Sequence, residues 1–186
     1  MSNNWTKYAD LNGVLSSFRA EVTGILDDRL VGIYLQGSFS LHEGDMQSDC
    51  DWLVVLDEEP TVEQLGRLVL LHDEIPRRDG HWNQHLEGSY AIRSDLRDLS
   101  ALGNEWWYVD HGSRAVIKAT HCNREVIRWT LREHGIVLVG PDPREFMDPV
   151  PPDALRARSR EDLGTVVPDI LSWATLDIGP FPDERG

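Results

Sequence analysis

Gly37 and Ser38, followed after ten residues by Asp49 and Asp51, set a turn suited to phosphate against two carboxylates suited to a divalent cation. Side chains of an extended strand alternate between its faces, so Asp49 and Asp51 project together and can share one or two metal ions. Mg2+ takes hard oxygen ligands and commonly sits between one or two carboxylates and substrate phosphates, where it offsets charge developing in phosphoryl or nucleotidyl transfer. Gly37 lets the backbone approach closely, and Ser38 with the amides of a following short helix can hold the terminal phosphates of a nucleotide. Alone, Gly-Ser is an ordinary turn and Asp-x-Asp an ordinary start to an exposed strand. Their joint occurrence between two apolar runs carries the reading.

Those runs, residues 31–36 and 49–56, are expected to be strands. Before them, Tyr8, Leu11, Val14, Leu15, Phe18, Val22, Ile25 and Leu26 recur at helical spacing and predict an amphipathic helix over about 8–28. Thr61 with Gln64 forms a capping-box pattern for a helix running toward Pro76, in which His72 reads as a packed residue rather than a ligand. A third strand is expected at 86–92. If it pairs beside the Asp-x-Asp strand, Glu87 points into the same site, to complete a metal shell or to act as general base; its position alone slightly favours a solvated strand end.

Residues 95–113 read as polar, with Trp106 and Trp107 beside Tyr108, Glu105 and Asp110. Rings and carboxylates together suit a cationic ligand, which makes Trp106, Trp107 and Asp110 candidate substrate contacts, although most such tryptophans serve packing. Further on, Asn123 is expected to cap a helix whose Val126, Ile127, Thr130 and Leu131 share a face and which stops at Gly135. A short strand at 136–139 should follow. Residues 153–163 predict a helix with Arg156, Arg158 and Arg160 on its polar side, interrupted at Val166-Val167-Pro168, and residues 179–186 read as a frayed tail.

The mixed order of elements indicates an α/β (α+β) fold, a mixed sheet flanked by helices, over residues 1–150, with 151–186 as a short helical or irregular extension. With 186 residues, 40% of them hydrophobic, the chain can bury a substantial core. A formal net charge of −14 argues against a nucleic-acid partner and suits a small cationic acceptor. Lys7 and Lys118 are the only lysines, so positive charge rests on arginine. Cys50 and Cys122 are too few for a disulfide framework or a zinc site. His81 and His85 have the i, i+4 spacing of a helical zinc pair, without a matching third ligand in the sequence. No signal-peptide core or membrane-length apolar run occurs, so a soluble, cytoplasmic protein without a membrane partner is expected. P-loop, dinucleotide and nucleophile-elbow patterns do not occur.

Three segments extend the pattern: residues 37–51, Leu86-Glu87-Gly88-Ser89-Tyr90, and residues 131–143 ending in Leu-Val-Gly-Pro-Asp-Pro. In this order they resemble the N-terminal nucleotidyltransferase domain, of the DNA polymerase beta type, of the aminoglycoside nucleotidyltransferase (adenylyltransferase) family. The resemblance implies that Asp49 and Asp51 hold Mg2+ with Glu87 near, that Gly37 and Ser38 contact ATP, and that Glu87 activates a drug hydroxyl for AMP transfer, an antibiotic-resistance activity. Members of the family continue into a C-terminal helical bundle that walls the acceptor cleft. On that comparison residues 151–186 would be a truncated second domain, and a homodimer or a partner protein would complete the cleft. Two alternatives stay open: a minimal nucleotidyltransferase antitoxin adenylylating a partner protein, and a non-catalytic nucleotide-binding module.

Overall fold

The helical spacing of Leu11, Leu15, Phe18, Val22 and Leu26 produces α1 (Ala9–Leu26), which buries that stripe against one face of a sheet. The computed structural model describes residues 4–174. After α1 come β1 (Leu30–Leu35), α2 (Gly37–Ser40), β2 (Cys50–Leu56), α3 (Val62–Glu74) and β3 (Leu86–Ile92). Then follow α4 (Arg93–Arg97), β4 (Trp106–Val109), β5 (Ile117–Ala119), α5 (Glu125–His134) and β6 (Ile136–Val139). Among the described residues these strands form one six-stranded sheet in the order β5-β4-β3-β2-β1-β6.

β2 and β3 pair in parallel, and every other neighbouring pair is antiparallel. A parallel pair needs a crossover, supplied here by α3 and the turns after it. Thr61 caps α3 by accepting from the Gln64 amide, and the Gln64 side chain returns the bond to the Thr61 N–H. The sheet is covered on both faces. Trp52, Val54, Leu56 and Tyr90 pack toward α1 and α3, while Leu53, Val55, Ala91 and Trp106 pack with Leu131, Phe146 and Met147. β2 is therefore apolar on both sides, as central strands are, and Asp51 near its start is the exception.

His72 is packed as the sequence suggests. It stacks on Trp52 with ring centroids 5.5 Å apart and pairs through Nε2 with the Tyr90 hydroxyl at 2.7 Å. Burial pushes its imidazole down to about 4.

The chain divides into two units, residues 1–150 and 151–186. In the second, α6 (Pro152–Ala174) carries ion pairs from Arg156 to Asp153 and from Arg158 to Glu161 and Asp162. The helix continues through position 168, where an interruption is expected from the sequence. A proline there removes one N–H donor, a cost that a 23-residue helix absorbs. The frayed tail expected at 179–186 lies outside the described residues.

The stretch 95–113, read from the sequence only as polar, holds the end of α4 and all of β4. One other expectation changes. Asn123 does not cap α5, whose N-cap is Arg124. The Asn123 side chain donates to the Ala101 and Asn104 carbonyls and accepts from the buried Arg128 guanidinium, so its oxygen is already committed.

Candidate active site

The site is assembled where β1 ends, β2 begins and β3 begins. Gly37 opens α2 with φ of +60°, a left-handed conformation that L side chains rarely adopt. A Cβ at this position would lie 2.0 Å from Asp51 Oδ2. Both backbone angle and space therefore demand glycine, and the turn rests directly on the Asp51 carboxylate. The Gln36 N–H donates to the Asp51 carbonyl at 2.9 Å, which fixes the turn to β2. Ser38 is half-buried, and its carbonyl accepts the Glu43 and Gly44 N–H groups at 3.0 and 3.1 Å.

The parallel register pairs Asp51 with Glu87 and Cys50 with Leu86. Paired residues of neighbouring strands share a face, so the two carboxylates stand side by side. Asp49 precedes β2 by one residue and completes the group. Burial, then the charges of Glu87 and Asp49, push the Asp51 carboxyl up to about 7. No lysine or arginine among the described residues forms an ion pair with any of the three. Their other partners are aromatic or imidazole groups. His111 Nδ1 pairs with Asp49 Oδ1. The Tyr108 hydroxyl donates to Glu87 Oε1 at 2.7 Å, and His121 Nε2 lies 3.6 Å from the same oxygen. Burial, then the Glu87 and Asp110 carboxylates, hold the Tyr108 phenol well above the usual tyrosine range, so it stays a donor.

Asp110 is exposed beside this group, with Oδ1 accepting from the His111 N–H at 3.0 Å and lying 3.0 Å from the Tyr108 hydroxyl oxygen. Trp106 and Trp107 are not brought to the carboxylates. Trp106 is buried in the core, its indole N–H donating to Asp95 at 2.9 Å. Trp107 faces the opposite side of the sheet, donating to Glu59 at 2.9 Å with Lys118 Nζ 4.7 Å above its ring. Tyr108, His111 and His121 are the members that the sequence reading leaves without roles. The run of aromatic and β-branched residues Trp106, Trp107, Tyr108 and Val109 was the available signal, since a strand there puts Tyr108 on the Glu87 face.

The fold has a solved counterpart. Over 80% of this chain and 65% of the other, the structure is similar to the spectinomycin adenyltransferase AAD(9) from Enterococcus faecialis, solved with ATP and spectinomycin, with a TM-score of 0.62 and 15% identity. The fold is the nucleotidyltransferase fold. This chain thus spans about two thirds of the length of that enzyme. No protein-family model matches the sequence, and no curated protein matches it.

The donor set bears on a metal. Three carboxylates crowd together with no lysine or arginine ion pair among the described residues, and hard oxygens in such a cluster suit Mg2+. Among the described residues, no three His, Cys, Asp or Glu side chains already converge to metal-ligating geometry. Asp49 and Asp51 are the pair of carboxylates that could hold such an ion.

Proposed function

We propose that this protein is a Mg2+-dependent nucleotidyltransferase that moves AMP from ATP to a hydroxyl of a small, cationic, aminoglycoside-like acceptor. The observation that carries the reading is the in-register pair of Asp51 and Glu87 with the Gly37 turn seated on Asp51. Asp49 and Asp51 would hold Mg2+, with Glu87 in register beside Asp51. When bound, the ion supplies neutralisation of the triphosphate and of charge developing at the α-phosphorus.

The chain's own residues supply position and a proton acceptor. Ser38 and the α2 turn hold the terminal phosphates, which aligns the α-phosphorus with the acceptor. Glu87 takes the proton from the attacking hydroxyl as its oxygen bonds to the α-phosphorus and the bond to pyrophosphate breaks. The exposed Asp110 carboxylate and the overall negative charge favour an amine-bearing acceptor.

The test is mass spectrometry after incubation with ATP, Mg2+, and spectinomycin or a panel of aminoglycosides. An acceptor heavier by one AMP is expected. ATP binding without any adduct would instead favour a non-catalytic nucleotide-binding module.

A further inference from the structure

Glu87 can serve as a base only if its carboxylate is held with one oxygen free, and the structure contains a group placed to hold it. Tyr108 sits on β4 opposite Ser89 of β3, two residues from Glu87 and on the same face. Its ring is buried and packs beside His121 at 5.3 Å, so the hydroxyl is delivered from a fixed position. The hydroxyl has one hydrogen and two carboxylate oxygens within reach, Glu87 Oε1 at 2.7 Å and Asp110 Oδ1 at 3.0 Å. Asp110 Oδ1 already receives the His111 N–H. Among the described residues Glu87 Oε1 has besides it His121, at 3.6 Å, too far for a good hydrogen bond. The shorter contact and the unmet acceptor both assign the hydrogen to Glu87.

We infer that Tyr108 is a positioning residue for Glu87: its hydroxyl binds Oε1 and leaves Oε2 to face the acceptor. This inference rests on the nucleotidyl-transfer reading above. The Glu87 side chain is only 14% exposed, so a small rotation about its terminal bonds decides whether the free oxygen meets the acceptor. Asp110 Oδ1, 3.0 Å from the same hydroxyl, is the competing acceptor for that hydrogen. An acceptor amine that pairs with Asp110 would leave that hydrogen wholly to Glu87, coupling acceptor recognition to alignment of the base.

Tyr108→Phe keeps the ring and removes only the hydroxyl. With Mg2+, ATP and the adenylylated acceptor of the panel above, kcat should fall by roughly 10- to 100-fold, the range for losing a hydrogen-bond partner that orients a functional group. KM for ATP should stay within about twofold, because the phosphate turn is untouched. A crystal structure of the variant should show the Glu87 carboxylate rotated or spread over two positions. A raised KM with unchanged kcat, or a Glu87 carboxylate unmoved in the variant, overturns the inference. Wild-type protein that forms no adduct would overturn the transfer reading instead, and the Glu87 carboxylate in the two crystal structures would still decide whether Tyr108 positions it.

Discussion

Asp51→Asn should strengthen the metal-free protein at alkaline pH while removing the chemistry proposed for it. The Asp51 carboxyl is pushed up to about 7 in the fold, against an ordinary value of about 3.9. Because the folded value is the higher, ionisation is easier in the unfolded chain. Stability is unaffected below about pH 4, is lost as the pH rises through about 7, and remains lost above. The interval corresponds to an upper limit of about 4 kcal/mol. Asparagine keeps the side-chain shape without the charge. His72 works in the other direction: burial lowers its folded value to about 4, so its contribution is lost as the pH falls from about 6.5 toward that value. The difference between variant and wild type therefore isolates Asp51 where the absolute curve does not. Urea unfolding in EDTA should give equal stabilities at about pH 4 and an advantage for Asp51→Asn of about 2–4 kcal/mol at about pH 8. Added Mg2+ with ATP should then raise the stability of wild type and not that of the variant. A variant equal to or weaker than wild type at about pH 8 would refute the crowding of charge at β2 and β3.

Gly37→Ala meets both a left-handed backbone and Asp51 Oδ2 at 2.0 Å; a loss of about 1–2 kcal/mol from the backbone alone is expected in chemical denaturation, together with loss of ATP binding by calorimetry. Trp106→Ala empties a core position and should cost about 3–5 kcal/mol, whereas Trp107→Ala, which removes a half-buried ring with its contacts to Glu59 and Lys118, should cost less and leave turnover intact. Turnover lost in Trp107→Ala without loss of stability would return that ring to the acceptor site.

What alternation and apolar runs can convey was legible in the chain. β1, β2 and β3 and the capping box at Thr61 follow from local pattern. Adding one assumption, that the third strand lies beside the second, suffices to bring Glu87 to Asp51. The β4 side was hidden because a four-residue strand flanked by Glu105 and Asp110 is too short to stand out from the polar stretch around it. Without its register, nothing distinguishes Trp106 from Trp107, although they face opposite sides of the sheet. Asn123 was misread for a related reason: its distant partners, Ala101, Asn104 and Arg128, outweigh its suitability as a cap. The pairing of His111 with Asp49 joins segments far apart in sequence, where no local periodicity applies.

The pairing of Gly88 with Trp52 gives the site a registration key. A Cβ on Gly88 would lie 2.1 Å from the Trp52 carbonyl oxygen and 2.5 Å from its indole. Moving β3 by one position would set Glu87 or Ser89 in that space and turn the Asp51 neighbour to the opposite face. The site is thus written as a phase relation between two strands, held by a residue with no chemistry of its own. In a mutational scan scored by activity, Gly88 would rank with the carboxylates. Only a parallel measurement of folding would reveal that it carries the alignment of the site and none of its reactivity.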